Sequence, residues 1–275
     1  MDIHEKNRVI FQFAKQYLEQ NANPLKCQRY LAERKIHSLE DAFEVAVRSI
    51  NDQTVLGGVI GYGDGEEGSN GQIIKRCLFD LDYKKVYAFY GNGKTDNRFK
   101  ELYRSFRDAI KSNGEDNENN SWHKYAKNVC GIAAYISDFD SVEDMLGYFN
   151  RSQTAAERIA LAEDIATKTP YWSFKMACNW LKDIGISGFA KPDSVLSFIF
   201  TELNLAENDE KSIFKAVSLM ADDNNESVFF VDMVFWLIGN KTASVIKEIE
   251  RKKGKNKEDF VKEAKEMLKN KETQN

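Results

Sequence analysis

The residues best suited to chemistry are Lys175 and Asp193, an amine and a carboxylate eighteen positions apart in the stretch YWSFKMACNWLKDIGISGFAKPDSVLSFIFTELNL, residues 171–205. A lysine amine that has lost its proton attacks an electrophilic carbon, and a fixed carboxylate offsets the positive charge that develops as a leaving group departs. The elements that must position them can be read from the apolar spacing. Phe174, Ala177, Cys178, Leu181 and Ile184 recur at helical intervals and Gly185 follows as a stop, which predicts a helix with Lys175 near its start. Lys175 lies one residue off the apolar stripe and need not be buried. Val195, Leu196, Ile199, Phe200 and Leu203 supply the next apolar face, and Pro192 before Asp193 casts Asp193 as the N-cap of that helix. At an N-cap, backbone N–H groups and the helix dipole hold a carboxylate in place.

This segment resembles the active-site segment of the helix-hairpin-helix DNA glycosylases, the superfamily that includes endonuclease III and the oxidised-guanine glycosylases. In bifunctional members a lysine opens the second helix of the hairpin and an aspartate follows at about this spacing, just before another helix. The resemblance implies Lys175 as nucleophile and Asp193 as the essential carboxylate. A second stretch, AFEVAVRSINDQ at residues 42–53, resembles the first core helix of the same family, which ends in a glutamine-containing turn. There the glutamine enters the duplex from the minor groove and fills the space left by a flipped base, a role that falls here to Gln53 with Asn51 beside it. Lys168, Lys175, Lys182 and Lys191 cluster around this segment, with Ser173, as a local patch for DNA or as a solvated face, and Tyr171, Trp172 and Phe189 are the first aromatics to consider for stacking on a flipped base, each of them also a plausible core residue. The chain departs from the family at the hairpin. Glycines with exposed N–H groups are usual there, whereas this sequence reads Thr169-Pro170-Tyr171-Trp172-Ser173, and Pro170 has no N–H to offer a phosphate.

Composition sets the limits. In 275 residues, 42% hydrophobic, 12% aromatic and with three prolines, long amphipathic runs point to an all-α protein with ample core. The resemblance implies a two-lobed glycosylase-like fold, with one lobe from residues 1–36 plus 190–275 and a central lobe over 37–189 interrupted by an insertion at about 55–121. No apolar run is long enough to span a membrane and the N-terminus MDIHEKNRV is no signal peptide, so a cytoplasmic or nucleoid-associated monomer is expected. Cys27, Cys77, Cys130 and Cys178 and the three histidines are scattered without metal-site spacing, and neither a metal nor another cofactor is implied. The net charge of −4 excludes a generic, strongly basic nucleic-acid binder. Before Lys241 there are 28 basic against 36 acidic residues, and from Lys241 onward 11 against 7, so any DNA contact is a local patch.

Elsewhere the sequence predicts packing elements. Helices are expected over 5–20, from Pro24 to about 35, and from a capping box of Ser38 and Asp41 through Leu39, Phe43, Ala46, Val47 and Ile50. Residues 57–71 form a glycine-rich loop without a P-loop ending. The segment LFDLDYKKVYAFYGNG suggests a short strand pair from Val86, Tyr87, Phe89 and Tyr90 and the Gly91-Asn92-Gly93 turn. Helices resume at Phe99, Trp122, Ser141 and about Ala155. Residues 228–239 are apolar nearly all round, and Asp232 within them is either a buried, hydrogen-bonded carboxylate, the favoured reading, or a cleft residue.

The substrate implied is double-stranded DNA with a damaged or modified base, from which the flipped base is excised, with abasic-site lyase activity where Lys175 attacks. Two other classes fit the same residues: a DNA-binding protein of this fold without catalysis, and a helical protein-interaction protein in which the Lys175 and Asp193 spacing is accidental. The wedge reading makes a specific prediction. Gln53→Ala should slow processing of a base-paired target more than of an unpaired or abasic one, because only the paired target needs the duplex held open; equal losses on both substrates would mark a folding defect.

Overall fold

The computed structural model describes residues 1–53, 70–110 and 117–274, with the side chains of residues 51–53 outside the description. Every regular element among the described residues is helical, and none is a strand. No helix among them is long and apolar enough to cross a membrane. The chain forms two compact units: residues 35–152 with 160–184, the central unit, and residues 1–34, 153–159 and 185–275, the terminal unit.

In the central unit, α3 (Leu39–Gln53) starts with the capping box read from the sequence. Asp41 N donates to Ser38 Oγ at 3.0 Å, and Asp41 Oδ2 accepts from Ser38 N at 3.1 Å and His37 N at 2.7 Å. The chain then runs through α4 (Asn70–Cys77), α5 (Tyr83–Tyr90), α6 (Phe99–Ile110), α7 (Ser121–Ile136) and α8 (Val142–Phe149). Helix α7 is the hub, packed against α3, α5 and α6. Tyr125, Val129, Ile132, Ala133 and Ile136 are fully buried along it, and Tyr125 OH donates to Val47 O of α3 at 3.4 Å. Two further helices, α9 (Ala155–Lys168) and α10 (Phe174–Asp183), flank the turn that carries Pro170.

The strand pair expected between residues 78 and 93 is instead a 3-10 turn, Phe79–Leu81, followed by α5. Two features decide it. Asp82 caps the helix by accepting from Lys85 N at 3.0 Å, and Tyr83, Val86 and Tyr90 fall on one buried helical face. The β-propensity of the aromatics yields to that packing. Gly91, at φ 75°, closes the helix where the turn was expected. The glycine-rich loop of residues 57–71 lies almost wholly outside the described residues.

In the terminal unit, α13 (Val228–Gly239) is the central apolar helix. It packs against α1 (Ile3–Asn21), α2 (Pro24–Leu31), α11 (Ser194–Glu202), α12 (Glu210–Asn224) and α15 (Lys257–Gln274). Phe11, Ile199, Phe200, Val217, Phe235 and Phe260 form its core. The last carbonyls of α13 have no partner within the helix, and Arg251 supplies one from the segment after α14 (Ala243–Glu248): its Nη1 donates to Leu237 O at 2.8 Å and Ile238 O at 2.6 Å. Gly254, at φ 80°, lies between α14 and α15.

Two helix glycines with opposite surroundings test the packing. A Cβ on Gly131 of α7 would stand 2.2 Å from Pro170 Cδ, whereas a Cβ on Gly147 of α8 would meet nothing within 4 Å. Gly131→Ala should therefore destabilise the protein by about 1–3 kcal/mol through overpacking. Gly147→Ala should stabilise it by up to about 1 kcal/mol through reduced backbone entropy in the unfolded chain. Thermal melts of the two variants should move in opposite directions.

Candidate active site

Ser173 opens α10 in an extended conformation (φ −99°, ψ 165°) and its Oγ accepts from Met176 N at 3.3 Å, so one of the helix's free N–H groups is satisfied. The helix buries Phe174, Ala177, Cys178, Trp180 and Leu181. Lys175, in its first turn, is half-buried, which leaves its side chain partly open. The rotation of α10 is fixed by polar contacts inside the core. Trp180 Nε1 donates to Ala42 O at 3.0 Å, and Asn179 Nδ2 donates to Ser49 Oγ at 3.3 Å and to Asp183 Oδ2 at 3.1 Å. An indole ring and an amide buried without such partners would destabilise the unit, so these bonds admit one seating of the helix.

Asp193 belongs to the terminal unit. It is the N-cap of α11 (φ −91°, ψ −175°), and its Oδ1 accepts from Val195 N at 2.8 Å and Leu196 N at 3.2 Å. The preceding residues are tied down as well. Asp193 N donates to Lys191 O at 2.7 Å, and Lys191 N donates to Oδ2 of Asp232, at 3.3 Å. Asp232 is 1% exposed, the buried structural carboxylate that its place in α13 indicated. Lys191 and Asp193 are both half-buried.

The other residues singled out from the sequence divide into those with an open surface and those without. Tyr171 is 42% exposed and sits at φ 53°, a left-handed conformation that costs a residue with a side chain about 1–2 kcal/mol and that glycine would adopt freely. Ser173 is exposed. Lys168, also exposed, ends α9 and pairs with Asp164 at 2.7 Å; that bond holds its ammonium above the usual lysine range. Three others are buried. Phe189 is fully buried with its ring 5.8 Å from Phe214, in the core of the terminal unit. Trp172 is 7% exposed, edge-on to Trp180 at 5.7 Å, and fills the core of the central unit. Lys182 is 5% exposed and has no open face for a phosphate. Asn51 and Gln53 lie in the last turn of α3, with side chains outside the described residues.

Sequence reasoning missed Lys124 and Lys127 of α7, whose ammonium groups stand 5.9 Å and 5.4 Å from the centre of the Tyr171 ring. Their i, i+3 spacing marks one helix face, but only the tertiary fold brings residue 171 to it. A surface pocket of about 300 Å³ is lined by Tyr87, Asn92, Lys94, Gly131, Tyr135 and Lys168 among others. Among the described residues no group of three or more His, Cys, Asp and Glu side chains could hold a metal ion.

A scan against protein-family models, a search of curated proteins and a search of solved structures each returned no match.

The double role of Asp193 as cap and candidate chemical group can be divided by substitution. Asparagine caps as well as aspartate, so Asp193→Asn should leave the melting temperature near that of the wild type, whereas Asp193→Ala should lower stability by about 1 kcal/mol. Equal losses in the two variants would show that its negative charge, and not its capping oxygen, stabilises the fold.

Proposed function

We propose that this protein is a DNA glycosylase with abasic-site lyase activity, a divergent member of the helix-hairpin-helix superfamily with the two-lobed fold of that family. The observation that carries the reading is the pair Lys175 and Asp193, the first in the opening turn of a helix capped by Ser173 and the second itself a helix N-cap, at the eighteen-residue spacing typical of that family's bifunctional members. Two observations support it further. Lys175 is partly open while the rest of its helix is anchored in the core, as a nucleophile on a rigid support requires. The turn before that helix uses a left-handed residue, Tyr171, in the conformation that a hairpin glycine would take.

In this reading the modified nucleotide leaves the duplex stack, with Gln53 filling the gap. Lys175, after giving up its proton, attacks the anomeric carbon of the sugar through its Nζ. The bond to the base breaks, and the base departs with the bonding electrons and is protonated. Asp193 offsets the positive charge on the sugar as that bond lengthens. The opened sugar is then joined to Lys175 as a Schiff base, and loss of a proton from the adjacent carbon expels the 3′ phosphate, which nicks the strand.

Duplexes carrying a panel of modified bases, scored for released base and for nicks, identify the substrate. On that substrate Lys175→Gln should abolish the nick and the borohydride-trapped adduct while duplex binding remains. Asp193→Asn should slow base release by on the order of 10²-fold or more. Trapping that survives Lys175→Gln would assign the nucleophile to another amine, with Lys191 the first to test. Base release without nick or adduct would leave Asp193 acting with water and make Lys175 a phosphate contact.

A further inference from the structure

We infer that Tyr171 with Lys124 and Lys127 forms a contact for single-stranded DNA, in which an unpaired base stacks on the Tyr171 ring while the two ammonium groups hold flanking phosphates. Tyr171 is a large aromatic with 42% of its surface open, kept at a left-handed φ of 53°. A glycine would relieve that strain, yet the position carries a ring that is in large part open to solvent. The ring is nonetheless held at a defined place. Pro170 is seated against Gly131 of α7, at a separation that only glycine permits, and this fixes the turn on the helix.

Around the ring the charge is one-sided. Lys124 and Lys127 stand within 6 Å of its centre. Lys124 makes no ion pair among the described residues, and Lys127 pairs with Glu118 only at 3.5 Å. A part-exposed aromatic ring with two cations beside it is the combination by which single strands are held without sequence preference: the stacking is indifferent to base identity and the cations follow the backbone. A paired duplex offers no free base face to such a platform, so the partner is an unpaired stretch of strand. This contact lies wholly on the central unit and goes beyond the proposed catalysis, which it does not require.

Fluorescence anisotropy of a labelled oligodeoxythymidine of about 12 nucleotides, titrated with the full chain across a range of salt, tests it. The wild type should bind. Tyr171→Ala should weaken binding about tenfold or more, and Tyr171→Phe should keep most of it. The double variant Lys124→Gln with Lys127→Gln should reduce the slope of log K against log salt by about 1.4. Tyr171→Gly should lose affinity while its melting temperature equals or exceeds that of the wild type, which separates loss of the platform from unfolding. Absence of wild-type binding, or Tyr171→Ala binding as tightly as the wild type, would overturn the inference. Binding of the oligodeoxythymidine requires neither base release nor a borohydride adduct, so failure of the catalytic reading and failure of this one are read in different assays.

Discussion

The burial of Trp180 is the interaction on which the placement of Lys175 depends. Its ring lies edge-on to Phe149 at 5.6 Å, Trp172 at 5.7 Å and Tyr135 at 6.2 Å, and its one polar atom is spent on the Ala42 carbonyl. A large amphipathic ring locked at both its apolar and polar ends leaves α10 no freedom to roll against α3, α7 and α8. Lys175, little more than one helical turn before it, is thereby given a fixed direction, and the contact of Asn179 with Ser49 repeats the constraint on the neighbouring face. The terminal unit uses a different device for Asp193. There a buried carboxylate, Asp232 on the central apolar helix, takes hold of the backbone of Lys191, and the cap follows two residues later. Each candidate group thus stands on a helix end whose position is set by buried polar bonds, and those bonds discriminate among packings more sharply than apolar contact alone.

Local chemistry explains why much of this was legible beforehand. Capping signals act within a few residues, so Ser38 with Asp41, Ser141 for α8 and Asp193 all stand where their sequence context put them. The all-helical class follows from the same periodicities. What failed depended on three-dimensional surroundings. Tyr83 to Tyr90 has strand-forming residues, yet one helical face of it is buried and a capping aspartate precedes it. Lys182 carries a charge and reads as surface, although the fold encloses it. The glycine-poor hairpin read as a defect in phosphate binding. Structurally, Tyr171 retains the left-handed backbone and brings a ring to the lysines of α7, a juxtaposition no local pattern encodes.

Charge fits this division of labour. With a net charge of −4 the protein does not attract nucleic acid through its overall field, so attraction must come from places where cations outnumber carboxylates. The face of α7 beside Tyr171 is such a place, and it belongs to the same unit as Lys175. Under the proposed function, DNA would be held weakly except where an aromatic or a catalytic group engages a displaced nucleotide, which would favour sites that are already unpaired or easily opened.

Everything in the catalytic account turns on one nitrogen atom, and peptide mapping of the borohydride-reduced adduct addresses that atom directly. A duplex with an abasic site serves as substrate, so the measurement does not wait on the identity of the excised base. After reduction and digestion of protein and DNA, mass spectrometry should find the sugar remnant on the peptide that contains Lys175, joined through its side-chain amine. A remnant on Lys191, on the N-terminal amine or on any other lysine would contradict the account, as would recovery of the Lys175 peptide unmodified from a reaction in which the strand was cut.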